Sequence, residues 1–260
     1  MKIKQLMEMM EADMPRQAAL DWDNVGLLVG DEEQEVSRIY LALDATDEVI
    51  DHGIAFGADL ILTHHPLIFS GIKKVTAQDM TGRRIRKMIA HQISYYAMHT
   101  NFDVCVMGNL AAQYLGLRDV DVLDVTYEPE DGKKGIGCVG SLSCRKTLLA
   151  LAKEVRQTFG LSHVKVFGDG DTMMERVAVC PGSGKSEIAA AKAKGAQVLI
   201  TGDIDHHSGI DAVAEGLCIV DAGHYGIEHI YMDYMKEWLM QAAPQIAVAQ
   251  EPMQEPFWIV

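Results

Sequence analysis

Two stretches of the chain repeat the same order of strand and helix, and this repeat limits the fold more than any other feature. RIYLALDA, TDEVIDHGIAFG and ADLILT read as strand, helix and strand, and RVAVCPG, KSEIAAAKAKG and AQVLITGD follow in the same order further along. Thr63 in the first copy corresponds to Thr201, 138 positions later. One more strand follows each copy, ISYYAMH in the first and LCIVDAGH in the second. We infer a diverged internal duplication.

The alternation of strands and helices predicts an α/β fold with parallel strands and helical crossovers. We predict two similar α/β lobes, residues 1–126 and 127–260, because YEPEDGKKG near residues 126–136 mixes proline, glycine and charge. The C-terminal helix belongs to the second lobe or packs back on the first. Thr46 is the predicted N-cap of the first crossover helix, and Gly57 its predicted end.

Composition and charge exclude several classes of protein. The chain has 260 residues, of which 48% are hydrophobic and 23% charged, as in ordinary globular proteins. No apolar run approaches the roughly 20 residues of a membrane-spanning helix, and the N-terminus lacks the apolar block of a secretory signal, so we expect a cytoplasmic protein. The net charge of −14 opposes binding to nucleic acid and leaves a small-molecule substrate as the expected partner. The five cysteines form no C-x-x-C motif, and we expect them to be reduced.

Histidines end the strand ADLILT, and a histidine and an aspartate follow the strand ISYYAMH. Ligands of open parallel sheets bind beyond the carboxyl ends of the strands, where His64, His65, His99 and Asp103 are expected. Successive residues of an extended chain point to opposite sides. The two adjacent histidines can therefore each reach a different metal ion.

The second copy ends its last strand at His224, with Glu228 four residues further on. If a helix begins at Tyr225, these two side chains lie on one face, one turn apart. The duplication is expected to bring the two strand ends face to face, with the metal site between the lobes. Five ligands then converge: His64, His65, Asp103, His224 and Glu228. Such a set suits two divalent ions with a bridging carboxylate; zinc, manganese, iron, cobalt and nickel are candidates, and calcium is disfavoured.

The segment TGDIDHH follows the strand that corresponds to ADLILT. Asp203, His206 and His207 are candidates for further ligands, for residues that orient a ligand, or for proton donors. Asp205 has the simpler reading of a helix N-cap. Thr63, next to the histidine pair, is a candidate for orienting the ligands.

Two further segments have competing explanations. CPGSGKS resembles the end of a phosphate-binding loop, but Val179 occupies the position of the first glycine, so we exclude ATP binding and favour a tight strand-to-helix turn. The alternative is that this helix N-terminus holds an anionic group of the substrate. In DWDN, Asp23 and Asn24 either approach the site or form a turn around a buried Trp22.

Five segments together resemble a known family. They are DWDNVGLLVG, ILTHHPLIF, HTNFD, TGDIDHH and GHYGIEH, and the resemblance covers essentially the whole chain. The chain is similar to the NIF-three-like dinuclear metal proteins, many of which bear the name GTP cyclohydrolase I type 2 or its homologue. The resemblance implies two similar α/β lobes, a toroidal homohexamer and metal sites that face an internal cavity.

The resemblance also implies which residues bind metal. The family's ligands correspond to His64 and His65, Asp103, and His224 and Glu228, with the glutamate bridging both ions. Ile227 departs from the family, which usually has serine or threonine before that glutamate. This change alters a hydrogen bond beside the ligand without removing the ligand.

The leading functional hypothesis is a metal-dependent hydrolase. The resemblance implies GTP as the substrate, with water attacking C8 of the purine ring and formate leaving. His99, His206 and His207 are candidates for proton transfer, since histidine titrates near neutral pH. Phosphoester or nucleotide hydrolysis is one alternative, because two-metal sites also support it. The other alternative is a metal-binding scaffold or regulatory protein without catalytic activity.

Overall fold

The structure, a computed structural model, describes residues 1–130 and 132–260. In chain order its α-helices are α1 Ile3–Asp13, α2 Asp47–Phe56, α3 Met80–Ala90, α4 Thr100–Phe102, α5 Gly108–Tyr114, α6 Leu148–Thr158, α7 Ile188–Ala193, α8 His206–Ala214, α9 His224–Glu228 and α10 Ile230–Ala242. Its strands are β1 Gly26–Val29, β2 Arg38–Ala42, β3 Leu60–Thr63, β4 Ser94–Ala97, β5 Arg118–Tyr127, β6 Lys134–Thr147, β7 Lys165–Phe167, β8 Met173–Ser183, β9 Val198–Gly202, β10 Cys218–Asp221 and β11 Ala247–Gln250. Short 3₁₀ helices span Arg16–Ala18 and Lys185–Glu187, and a π-helix spans Asp103–Met107.

The chain divides into two units, Met1–Phe102 with Tyr231–Gln254, and Asp103–Ile230 with Glu255–Val260. The division falls after Phe102 and not within residues 126–136, where the sequence predicts it. The reason is that β5 and β6, on either side of that segment, pair with each other in one sheet. Strand β11 belongs to the first unit because it pairs with β2. Asp131, in the predicted boundary segment, lies outside the described residues.

The first unit contains a five-stranded sheet in the order β1-β4-β3-β2-β11. Strands β11, β2, β3 and β4 are parallel, and β1 runs antiparallel to β4 at one edge. Helices α2 and α3 are the crossovers between the parallel strands, and their apolar faces pack on the sheet, with Ile50, Ile61, Ile85 and Tyr95 in one buried cluster. Thr46 caps α2 through the Val49 amide, and Gly57 ends it in the left-handed conformation, as predicted.

The second unit contains a six-stranded sheet in the order β5-β6-β8-β9-β10-β7. Strands β8, β9 and β10 are parallel, and the remaining pairings are antiparallel. Apolar residues of the sheet and its crossover helices form a second core, which includes Ala178, Leu199, Ala212 and Ile219.

The parallel strands of the two units show the predicted duplication. In the first unit Thr63 pairs with Ala97, and in the second unit Thr201 pairs with Asp221, so the third strand of each repeat has the same register against the second. The functional segments therefore follow equivalent strand ends. None of the helices in the described part of the chain combines the length and the apolar character that a bilayer crossing requires.

Candidate metal centre

The paired histidines follow β3 directly, and the first unit holds their backbone firmly. The amide of His64 donates to the carbonyl of Ala42, and the amide of His65 donates to that of Leu43. The Thr63 hydroxyl and the Tyr95 hydroxyl both donate to the His65 carbonyl, each at 2.8 Å. His64 is buried and His65 is partly exposed. Thr63 thus positions the turn that carries both imidazoles.

His99 joins the same cluster. It follows β4, the neighbour of β3, and its ring centroid lies 5.2 Å from that of His64 and 5.6 Å from that of His65. One ring nitrogen of each of the three histidines lies within 4.8 Å of the others. The first unit therefore presents three imidazoles at the carboxyl ends of adjacent parallel strands, where the sheet rule predicts ligands.

Each of these histidines donates a hydrogen bond from Nδ1 to a carbonyl or carboxylate oxygen, which can only accept. His64 Nδ1 donates to the Met98 carbonyl at 2.9 Å. His65 Nδ1 donates to Asp44 Oδ1 at 2.8 Å, and His99 Nδ1 donates to Asp23 Oδ1 at 2.9 Å. The partners assign the proton to Nδ1 and the lone pair to Nε2. This is the arrangement by which proteins orient histidines that coordinate metals.

Asp23 is a strong partner for His99 because it is held as a carboxylate. Burial favours the neutral acid, but hydrogen bonds from His99 and Thr100 outweigh it and lower the pKa of Asp23 to about 2. The Thr100 amide donates to Asp23 Oδ2 at 3.0 Å, and the Thr100 hydroxyl donates to the same oxygen at 2.5 Å. The carboxylate therefore accepts the Nδ1 hydrogen bond and holds the His99 ring in one orientation.

In the second unit, α9 carries the histidine and the glutamate. The helix begins at His224, one residue earlier than expected, after Gly223 with a φ of 76°. Asp221 shapes this turn: its Oδ1 accepts from the Gly223 amide at 3.0 Å, and its Oδ2 accepts from the Ile204 amide at 3.1 Å. The buried Asp221 carboxylate thereby ties the segment after β9 to the segment after β10.

His224 Nε2 and Glu228 Oε2 lie 3.0 Å apart, one helical turn along α9. On the other side of the ring, Nδ1 donates to Asp203 Oδ2 at 2.7 Å. Nε2 and the carboxylate are then two electron-pair donors in close contact, and either a shared proton or a metal cation relieves their repulsion. Asp203 reaches His224 from a left-handed backbone with a φ of 58°, which aspartate tolerates better than most residues.

Asp103 opens the π-helix of the second unit, a rare element that is frequent at functional sites. One of its carboxylate oxygens lies within 4.8 Å of one from Glu228. Glu228 is almost fully buried, and glycines leave room around it. A Cβ on Gly182 would lie 2.2 Å from Glu228 Oε1, and a Cβ on Gly202 would lie 2.4 Å from the His224 amide nitrogen.

The other candidate histidines stand apart. His206 and His207 are exposed at the start of α8, where Asp205 caps the helix through the Ser208 amide. Among the described residues, neither histidine belongs to a group of three side chains with metal-binding spacing. Asp205 is therefore a helix N-cap, the simpler of its two explanations. Lys185 of the CPGSGKS turn forms a salt bridge with it, with Nζ 2.7 Å from Asp205 Oδ2. That turn passes into a single 3₁₀ turn, Lys185–Glu187.

Sequence reasoning missed two supporting carboxylates and misjudged one aromatic residue. Asp44 lies two residues after β2 and Asp221 is the last residue of β10, so the rule that selects the histidines would have found both. Trp22 is 56% exposed, which contradicts the explanation of DWDN as a turn around a buried tryptophan. The physical reason is that Asp23, its neighbour, turns inward to His99 and Thr100.

Comparison with known proteins identifies the family and supports the fold. A sequence model of the Duf34/NIF3 (NGG1p interacting factor 3) family matches residues 1–255. The chain is 36% identical over 231 residues to a Clostridium perfringens protein named GTP cyclohydrolase 1 type 2 homolog, covering 88% of this chain and 87% of that protein. A solved Bacillus cereus protein related to NIF3 has a TM-score of 0.91 at 25% identity, over 100% of this chain and 99% of its own. A hypothetical protein of Staphylococcus aureus has a TM-score of 0.90 at 29% identity, with the same coverage.

Proposed function

Since the chain belongs to the Duf34/NIF3 family, we propose that it is a hydrolase that depends on two divalent metal ions. The proposed ligands are His64, His65, Asp103, His224 and Glu228. One observation carries the proposal: each of the three histidines has its Nδ1 committed to a fixed acceptor, so Nε2 carries the lone pair. Proteins commonly orient metal-binding histidines in this way. His91 and His229 also donate from Nδ1 to a carbonyl, but in the described part of the chain neither lies in a group of side chains with metal-binding spacing.

The donor set fits a divalent transition metal. Three neutral imidazoles and two carboxylates supply nitrogen and oxygen ligands with two negative charges, which zinc, manganese, iron, cobalt and nickel accept. The close contact of His224 Nε2 with the Glu228 carboxylate supports a cation at that position. When bound, two such ions lower the pKa of a coordinated water and polarise a substrate oxygen or carbon–nitrogen group.

His99 is the proposed proton carrier of the first unit. Its Nδ1 is bound to the Asp23 carboxylate, so Nε2 is the atom that takes up or delivers a proton. Asp23 keeps the ring in one orientation and one tautomer, as the partner of a histidine does in general acid–base catalysis. His206 and His207 remain weaker candidates for proton transfer, because they lie exposed on α8.

For the substrate we propose GTP, with attack of water at C8 of the purine ring and release of formate. The name of the Clostridium perfringens relative supports this choice. The family resemblance also supports a homohexamer, and a chain with a net charge of −14 will associate only through specific contacts. Light scattering at micromolar concentration should give about six times 28.6 kDa; a mass near that of the monomer would contradict the hexamer.

The test is an activity screen on protein reconstituted with each candidate metal. GTP, other nucleotides and simple phosphoesters are compared for formate release, loss of the purine chromophore and phosphate release. His64→Ala is expected to abolish turnover. His91→Ala is the control and should retain it, because His91 is exposed and lies before the N-terminal end of β4. Phosphate release with an intact chromophore would identify a phosphoester hydrolase. Turnover of none of these compounds by metal-loaded wild type would overturn the proposed activity and favour a binding role.

A further inference from the structure

Two large aromatic side chains of the first unit are exposed to solvent, although contact with water is unfavourable for apolar rings. Trp22 is 56% exposed and Phe69 is 55% exposed. Their ring centroids are 5.6 Å apart and their planes are inclined at 39°. Adjacent exposed aromatic rings mark a binding surface more often than single scattered ones do.

Both rings border the histidine cluster. Trp22 meets His99 edge-on at a centroid distance of 6.0 Å, and Phe69 meets it at 6.5 Å. His99 in turn lies against His64 and His65. A flat group resting on the two aromatic rings would therefore have His99 at its edge.

The exposed rings are attached to anchored backbone. The Leu20 amide donates to the Thr100 hydroxyl at 2.9 Å, and Asp23 is bound to His99 and Thr100. Asn24 Nδ2 donates to the Ile68 carbonyl at 2.6 Å, which ties the turn that carries Trp22 to the residue before Phe69. The residues on each side of Trp22 are thus held, and the two rings are positioned relative to each other before any ligand arrives. Such preorganisation lowers the entropic cost of binding.

We propose that Trp22 and Phe69 form an aromatic platform that binds the flat heteroaromatic ring of the substrate beside His99. The platform rests on the proposed function, because His99 and its neighbours define the reacting end. Planes inclined at 39° cannot sandwich a ring between parallel faces. A ligand ring that stacks on one of the two is therefore inclined to the other by the same 39°. Offset stacking on the first ring is one of the geometries that aromatic pairs prefer. Nucleobases stack on such side chains through their π-faces, whatever their hydrogen-bonding pattern.

The experiment measures binding of guanosine, which has the heteroaromatic ring and no phosphate. Isothermal titration compares wild type with Trp22→Ala, Phe69→Ala and Trp22→Phe, and ribose 5-phosphate serves as the probe without an aromatic ring. Trp22→Ala is expected to weaken guanosine binding about 10-fold, the size of one lost base–aromatic stack, and Trp22→Phe to restore most of it. The affinity for ribose 5-phosphate is expected to stay within about 2-fold of wild type in every variant. Trp258→Ala replaces an exposed tryptophan of the second unit and should likewise keep guanosine affinity within about 2-fold of wild type.

Several outcomes would overturn the platform. These are absent binding of guanosine to wild type, unchanged guanosine affinity in both alanine variants, or an equal loss for ribose 5-phosphate. A fall in molecular mass in Trp22→Ala would instead assign the rings to a contact between copies of the chain. Metal titration of the same variants separates the two proposals. Full metal content with lost guanosine binding supports the platform. A wild type that takes up no metal but still binds guanosine refutes the metal centre and leaves the platform standing.

Discussion

The two units use the same arrangement of parallel strands to present different candidate ligand atoms. In the first unit, Thr63 at the end of β3 is followed by His64 and His65. In the second unit, Thr201 pairs in the same register but is followed by Gly202 and Asp203. The scaffold has been retained through the duplication, and the residues just beyond the strand ends have diverged.

Packing explains why the second unit cannot repeat the histidine pair. The backbone of His224 approaches Gly202 so closely that any side chain there would clash with it. The imidazole is supplied by His224 itself, from the next strand end. The position equivalent to His65 is Asp203, which orients that imidazole through Nδ1. The comparison teaches that a proposed ligand and its supporting carboxylate can occupy different strand ends in the two copies while the strands keep their register.

The largest effect is expected from Glu228→Gln. The proposed bridging carboxylate compensates the charge of two cations, and their Coulomb repulsion is large when it is lost. Metal titration should show one ion or fewer bound and no hydrolysis, whereas His224→Ala should keep one ion. If Glu228→Gln binds two ions at near-normal affinity, Asp103 becomes the better candidate for the bridge.

Gly202→Ala tests the packing difference between the units. A Cβ at this position would lie 2.4 Å from the His224 nitrogen, so α9 must shift. We expect a loss of about 1–3 kcal/mol in the free energy of unfolding, measured by urea titration, because overpacked sites cost this much. Gly71→Ala is the matched control, since nothing lies within 4 Å of its added Cβ. Equal stability of the two variants would show that the close approach does not constrain the second unit.

Asp44→Asn and Asp203→Asn compare the supporting carboxylates of the two units. Each removes a charge that faces Nδ1 of a proposed ligand, His65 or His224. Loss of such a partner typically weakens metal binding about 10- to 100-fold, and we expect a similar effect from both. Isothermal titration with zinc measures it, with the exposed Asp21→Asn as control. An effect confined to one variant would mean that only one unit uses its carboxylate in this way.

The smallest effect concerns the caps of two equivalent crossover helices, α3 and α8. Asp79 caps α3 and Asp205 caps α8. Hydrogen bonds from Lys185 and Ser208 lower the pKa of Asp205, so its charged cap stabilises α8 above about pH 4 and is lost as the pH falls further. The protection factor of the Ser208 amide, which corrects hydrogen exchange for the pH dependence of the intrinsic rate, should therefore fall below pH 4 in wild type.

Asp205→Asn isolates the contribution of that charge, because asparagine still caps a helix but does not titrate. The fall in the protection factor should be absent in this variant and retained in Asp79→Asn. An identical profile of wild type and Asp205→Asn between pH 5 and pH 2 would refute the role of the charged cap.

Much of the fold follows from short-range information in the sequence. The strand and helix order, the caps of α2 and the histidines after β3 were all readable, because each depends on residues a few positions apart. The short α7 and the start of α9 at His224 are less regular than the apolar pattern indicates, since Gly223 permits a tight turn that a pattern of hydrophobic residues does not reveal.

What the sequence alone determined is the repeated α/β scaffold and the chemical types of residue at its strand ends, because backbone preferences and periodicity are local. The tertiary structure decided which acceptor holds each imidazole, since Asp44 is 21 residues from His65 and Asp23 is 76 residues from His99. It also decided that Trp22 faces solvent and that β5 lies in the second unit. Such pairings depend on packing between distant segments, and no local pattern encodes them.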